Sequence, residues 1–271
     1  MNSRWRYIPL IETSGKMQMA IDRYLLEQYR QKKNLDSLAN STSESELSNF
    51  SGVLRFYTWQ PAAISLGYHQ KDYPDFWQDL TWQDKLIEIV RRPTGGRAVL
   101  HQGDLTYAIV TTIPPGKRLE VYKQICQFLI EGWRSLGVNL DYGSVTKEYI
   151  QQQNCFATAT GSDLITDRGA KVIGSAQLRR GKTVLQHGSM ILNTDPQIYQ
   201  QVFGTNLEQN LDRLILKQKD RSTTYSQADL TAKIIESLVQ AAIAIFKIDL
   251  VEQPLSTKEW QDIASMENNF S

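Results

Sequence analysis

Apolar and polar positions alternate along this chain in two rhythms, one of period two and one close to 3.6. Arg6 to Ile11 reads as a short strand. Ser14 is placed to cap a helix running to about Arg30, whose buried stripe is Met17, Ile21, Tyr24 and Leu25. Val53 to Trp59 and Ala62 to Tyr68 read as strands joined by a turn at Gln60-Pro61. Asp75 to Ile89 mixes aromatic and charged residues at helical spacing, so a helix is expected there. Ala98 to Leu100 and Leu105 to Ile113 read as strands around a tight turn at Gln102-Gly103-Asp104, and Pro114-Pro115-Gly116 ends the second. Leu119, Tyr122, Ile125, Leu129, Trp133 and Leu136 recur at three- and four-residue steps, with Gly137 as the C-terminal stop. From Asp163 to Leu192, β-prone pieces broken by Asp167-Arg168-Gly169 and Arg180-Gly181-Lys182 predict consecutive hairpins. Leu230, Ile234, Leu238, Ala242 and Ile245 share one face of a last helix, Asp229 to Phe246. Strands and helices mix without a regular βαβ rhythm, which favours α+β over a doubly wound sheet.

The polar stretch Gln31 to Ser51, rich in serine and asparagine, reads as a mobile loop inside one domain, because too little chain precedes it to form a separate core. The 271 residues suffice for a sizeable core. Thirty basic against twenty-nine acidic residues leave a net charge of +1. That balance argues against a bulk nucleic-acid binder, so any anion site must be local. Two cysteines cannot build a disulfide framework. The longest strictly apolar run, Ala241 to Phe246, is far short of a membrane span. The N-terminus, with Arg4 and Arg6 before a brief apolar stretch, lacks a signal-peptide core, so a cytoplasmic protein without a membrane partner is expected.

Four segments carry candidate chemistry. In Arg91-Arg92-Pro93-Thr94-Gly95-Gly96-Arg97, ending four residues on at His101, paired glycines let the backbone approach a ligand closely, and three arginines suit an anion or a polarised carbonyl. A hairpin turn with solvated arginines fits the same residues. In Lys171-Val172-Ile173-Gly174-Ser175-Ala176-Gln177, a lysine precedes a small-residue turn that can offer backbone donors. An exposed basic hairpin is the plainer reading. Gln186-His187-Gly188-Ser189 holds one of only three histidines, which are too scattered for a metal site. Cys126 sits on the apolar helix and is assigned to the core. Cys155 lies between Gln151-Gln152-Gln153-Asn154 and Phe156-Ala157-Thr158, a polar setting equally suited to an incidental thiol or to a nucleophile.

Taken together and in order, these segments resemble the biotin/lipoate protein ligase and transferase superfamily, in its lipoate–protein ligase A-like branch. Arg91 to His101 reads like its Arg-Arg-x-x-Gly-Gly-x-x-x-x-His element, Lys171 to Gln177 like its Lys-x-x-Gly-Ser-Ala-Gln element, and Gln186 to Ser189 like its His-Gly strand start. The resemblance covers residues 5–247 and implies one mixed-sheet α+β catalytic domain with flanking helices, leaving 248–271 as a C-terminal tail. It also implies that Arg91, Arg92, Thr94, Gly95, Gly96, Arg97, His101, Gly174, Ser175, Ala176, His187, Gly188 and Ser189 bind substrate.

Three chemistries occur in that superfamily. Ligases activate a free acid with ATP and magnesium and need no cysteine. The common octanoyltransferases carry a cysteine after the His-Gly strand, and Val202 to Asn210 has none. A third type, octanoyltransferases resembling the ligases, carries it before the lysine element, typically as Cys-Phe. Here Asn154-Cys155-Phe156 precedes Lys171, with Cys155 16 residues upstream of it. The resemblance therefore implies an acyltransferase without cofactor or metal. It would take octanoyl from acyl carrier protein and place it on a lysine of a lipoyl domain, such as the glycine-cleavage H protein. Cys155 is then the nucleophile, and Lys171 favours its thiolate and the oxyanion. The short remainder after Phe246 is expected to leave no room for the accessory C-terminal domain of the larger ligases, a domain that some ligases carry as a separate subunit. The alternatives are an ATP-dependent lipoate–protein ligase, in which Cys155 is incidental, and a non-catalytic carrier-binding module.

Overall fold

The structure, a computed structural model, describes residues 2–37, 50–143, 163–217 and 226–267. The chain opens with strand β1 (Ser3–Thr13) and helix α1 (Gly15–Ser37), whose first turn is capped by Ser14 Oγ accepting from the Met17 amide. Strands β2 (Gly52–Trp59) and β3 (Ala63–Leu66) follow across a cis Gln60-Pro61 bond. Next come β4 (Thr81–Trp82), β5 (Lys85–Leu86), β6 (Glu88–Arg91), β7 (Val99–His101) and β8 (Asp104–Thr112). Helix α2 (Arg118–Ser135) leads to β9 (Leu140–Tyr142), β10 (Leu164–Thr166), β11 (Lys171–Arg180) and β12 (Thr183–Ile191). Helices α3 (Pro196–Phe203), α4 (Leu211–Lys217) and α5 (Gln227–Phe246), strand β13 (Ile248–Glu252) and helix α6 (Thr257–Glu267) complete the chain.

Among the described residues the main sheet has eight strands, in the order β13-β1-β2-β8-β12-β11-β10-β9. β1 runs parallel to both its neighbours and the other pairings are antiparallel. Because side chains alternate across a strand, β2 and β8 feed two cores. Leu54, Phe56, Leu105, Tyr107 and Ile109 pack under α2 and α5, while Val53, Tyr57, Ala108 and Val110 pack under α1 and α6. A small sheet, β6-β3-β7, lies beside this frame with a third core around Trp77, Ile64, Leu100, Ile198 and Val202. The mixed sheet flanked by helices is the expected α+β arrangement.

Three expectations change. Asp75 to Ile89 is not a continuous helix: a single 3-10 turn at Asp75–Asp79 gives way to β4, β5 and β6. Its apolar residues are anchored to other elements rather than to one helical stripe. Trp77 Nε1 donates to the Val202 carbonyl at 3.0 Å, β6 pairs with β3, and Gln83 and Asp84 take left-handed φ of 50° and 60° to turn the chain. Second, α1 extends past Arg30 to Ser37, into the stretch read as loop. Third, residues 248–267 are no loose tail. β13 adds an edge to the main sheet beside β1, and Arg6 of β1 grips Glu259 of α6 at 2.7 Å with both side chains buried.

Candidate functional site

Strand register brings the second and third segments together. β11 pairs with β12 so that Gly174 faces Ser189, Ser175 faces Gly188 and Ala176 faces His187. Two motifs separated in sequence thus form one wall. Gly188 has to be glycine there: a Cβ would lie 2.3 Å from Ser175 Oγ and 2.7 Å from Tyr107 Cε1. Below this wall, the Tyr107 hydroxyl donates to Ser175 Oγ at 2.9 Å, and Gln186 Nε2 donates to Tyr107 at 3.1 Å.

The Arg91–His101 segment forms the facing wall. Arg92 is buried and braces the Gly-Gly turn from within. Its Nη2 donates to the carbonyls of Gly95 and Arg97 at 2.9 and 2.6 Å, and its Nη1 donates to the Ser65 carbonyl at 2.7 Å. Gly96 adopts φ +98°, where a Cβ would meet Arg92 Nη2 at 2.7 Å. Between the two walls lies a cavity of about 470 Å³. That is within the usual size of a small-molecule site, ~300–1,000 Å³. Trp59, Val99, Leu119 and Tyr122 supply much of its apolar lining.

Each cavity histidine is held by a buried carboxylate. His101 Nδ1 donates to Asp104 Oδ2 at 2.8 Å, and its Nε2 lies 2.8 Å from Ser65 Oγ. Burial pushes its pKa below the ordinary histidine value and Asp104 only partly opposes that, while Arg92 and His187 lower it further. The ring is therefore neutral, stacked on Trp59 with centroids 3.7 Å apart. Asp104 also accepts from Ser189 and Thr106, at 2.7 and 3.0 Å. His187 lies between Asp22 of α1, 2.7 Å from Nδ1, and Thr94 Oγ1, 2.6 Å from Nε2.

Of the residues expected to bind substrate, Arg92, Gly95, Gly96, His101, Gly174, Ser175, Ala176, His187, Gly188 and Ser189 line this cavity. Thr94 reaches it through His187. Arg91 turns the other way: its Nη1 donates to the carbonyls of Gly67 and Gln70, and it lines a separate groove with Lys16 and Arg23. Arg97 contributes its carbonyl to Arg92. Lys171 is buried, its Nζ 3.0 Å from Asp163, which itself lines the cavity. Cys155 lies outside the described residues. Cys126 is where the helix periodicity puts it, fully buried in the α2 core. Burial pushes its thiol up to about 12, although Tyr107, Ser175 and Gln186 hydrogen-bond it.

The sequence reading missed the two acids. Asp104 was read as a turn residue. Asp22 did carry a signal: it stands four residues after Gln18 and next to Ile21, so a polar pair shares the otherwise apolar buried side of the helix.

The sequence matches the family model of the lipoyl protein ligase A/B catalytic domain over residues 14–246. It is 34% identical to the octanoyltransferase LipM of Carboxydothermus hydrogenoformans, with 94% of this chain and 91% of the relative covered. It is 32% identical to that of Staphylococcus aureus, covering 81% and 76%. Among solved structures, lipoate-protein ligase A bound with ATP superposes with a TM-score of 0.70 at 18% identity, covering 99% of this chain and 95% of that one. The bipartite lipoate protein ligase of Thermoplasma acidophilum, studied with its E2 lipoyl domain, gives 0.65 at 18% identity, covering 99% and 92%. At that identity the likeness is one of fold.

Proposed function

Because the chain belongs to the lipoyl protein ligase A/B catalytic-domain family, we propose the route by which it carries out octanoyl transfer in lipoate assembly. The donor is octanoyl-acyl carrier protein and the acceptor a lysine of a lipoyl domain, the glycine-cleavage H protein being the first to test. The Cys155 thiolate attacks the donor thioester carbonyl, and the tetrahedral intermediate expels the carrier thiolate, which takes up the proton that Cys155 gave up. The neutral ε-amine of the acceptor lysine then attacks the Cys155 thioester, loses a proton and releases the thiolate. One thioester replaces another and an amide follows, so the sequence runs downhill without ATP, metal or other cofactor.

The residues divide the work. A free thiol with pKa ~8.5 is a few per cent thiolate at pH 7. A cation within roughly 4–6 Å raises that fraction, and this is the task of Lys171. Amides of Gly95, Gly96, Gly174 and Ser175 are the candidate donors to the developing oxyanion. The cavity takes the acyl chain. The observation that carries this reading is the convergence of the Gly-Gly turn and the β11–β12 wall on one largely apolar cavity, with the buried Lys171–Asp163 pair on the same strand system. No described helix is long and apolar enough to cross a membrane, and a working thiol suits the reducing cytoplasm.

Intact-mass analysis after mixing with octanoyl-carrier protein, without nucleotide, tests the route. One octanoyl adduct is expected, absent in Cys155→Ser, retained in Cys126→Ser, and discharged by H protein. An adduct that survives Cys155→Ser, or octanoate-dependent pyrophosphate exchange that persists in Cys155→Ala, overturns it in favour of another nucleophile or of a ligase.

A further inference from the structure

His187 meets the cavity with one edge and is held from behind by groups far away in sequence. Asp22 of α1 is fully buried. Its Oδ1 accepts from Arg55 Nε at 2.9 Å and lies 2.8 Å from Arg55 Nη2. Its Oδ2 accepts from the Tyr57 hydroxyl at 3.0 Å and from His187 Nδ1 at 2.7 Å. Burial alone would raise this carboxyl, but Arg55 and His187 outweigh it and hold it below the usual aspartate value, so it is ionised. Burial likewise keeps Tyr57 a phenol.

A carboxylate accepts hydrogen bonds and donates none. Nδ1 of His187 therefore carries the ring proton in the neutral imidazole, and Nε2 presents a lone pair. The hydroxyl of Thr94, 2.6 Å away and itself buried, must then donate to it. Thr94 opens the turn whose next two residues, Gly95 and Gly96, line the cavity. Arg92 braces that turn from one side, and the chain Asp22–His187–Thr94 ties it from the other, across 165 residues between Asp22 and His187.

We propose that Asp22 is a positioning residue for octanoyl transfer: by fixing the Nδ1–H tautomer of His187 it makes the Thr94 hydroxyl a donor and holds the Gly95-Gly96 turn in its working place. The link to transfer rests on the function proposed above; the link between Asp22, His187 and the turn does not. The same tautomer logic governs a catalytic histidine oriented by a buried aspartate.

Asp22→Asn gives a sharp test. Arg55 Nε donates to Oδ1 and the cationic Nη2 lies 2.8 Å from it, so the amide oxygen stays on Arg55 and the NH₂ faces His187. The NH₂ then donates to Nδ1, the ring proton moves to Nε2 and is donated to Thr94 Oγ1, and the buried Thr94 hydroxyl proton is left without its acceptor. Nitrogen-15 NMR of imidazole-labelled protein is expected to show the Nδ1–H tautomer in the native protein and Nε2–H in Asp22→Asn. The rate constant for octanoyl transfer is expected to fall about tenfold, the scale of one buried hydroxyl donor left unsatisfied. A purely structural Asp22 would lower the melting temperature but leave the tautomer and the rate of the folded protein alone.

Should Asp22→Asn fail to fold, the Thr94 pair decides. Thr94→Val keeps shape and removes the donor. Amide hydrogen exchange at Gly95 and Gly96 is expected to quicken about tenfold, with kcat falling more than KM rises and the His187 tautomer unchanged. Thr94→Ser restores both. A folded Asp22→Asn that keeps Nδ1–H, or Thr94→Val with native exchange at both glycines, overturns the proposal. Native protein that shows the tautomer and the exchange effects but transfers no octanoyl refutes the function reading instead.

Discussion

Cys126 offers a quantitative check on the assignment of chemistry between the two thiols. It has no solvent exposure, Gln186 Nε2 donates to its sulfur at 3.1 Å, and burial carries its pKa up to about 12. At pH 8 the thiolate is then about one part in ten thousand of Cys126, against about a quarter of an ordinary thiol of pKa ~8.5. Ionisation alone slows alkylation by about three orders of magnitude, and steric exclusion adds to that. The experiment is iodoacetamide capture at pH 8 in native buffer and in denaturant, followed by peptide mass analysis. Cys126 is expected to remain unmodified in the native protein over times that label Cys155 fully, and to react like any thiol once unfolded. Its native rate should climb about tenfold per pH unit up to the highest pH at which the fold survives, because the raised pKa leaves the thiolate the minor species throughout. Native labelling of Cys126 within a factor of ten of the denatured rate would show that the α2 core is open to solvent and would refute the core assignment.

Two further outcomes follow from the packing. Gly188→Ala places a methyl 2.3 Å from Ser175 Oγ and 2.9 Å from the Gly174 carbonyl. It should cost about 1–3 kcal/mol in urea unfolding and slow acylation, because β11 must shift at the cavity wall. Arg6 and Glu259 close a bidentate buried pair at 2.7 and 2.8 Å between β1 and α6, so Glu259→Ala should cost about 3–5 kcal/mol. Burial raises the Glu259 carboxyl, but hydrogen bonds from Arg6 and Ser256 hold it below the ordinary glutamate value. Its contribution is therefore complete above pH ~4.3 and is lost as pH falls through the lower native value. Native protein should lose stability over that acid window more steeply than Glu259→Gln.

The helices with a clean 3.6-residue rhythm, α1, α2 and α5, were legible from their own residues, and so were the hairpin strands β11 and β12 with glycine turns at either end. Local periodicity decides such elements because one face must be buried whatever covers it. The segment 75–89 was not legible, since Trp77 and Ile87 are buried by partners on α3 and the small sheet rather than by a common stripe. Nor was β13, an edge strand whose pairing with β1 joins residues nearly the whole chain apart. At the site, the amino-acid sequence alone marked the Gly-Gly turn, the Lys171–Gln177 strand and the His-Gly step, because glycine and small residues are required where backbones approach closely. Only the tertiary structure decided where those residues stand and what they touch. Register set Ser175 against Gly188, Arg92 turned inward to brace its own loop while Arg91 turned away, and Asp22 met a histidine 165 residues along the chain. The partner of Asp22 is set by where β12 folds back against α1, and that is a property of the packed sheet rather than of any window of residues.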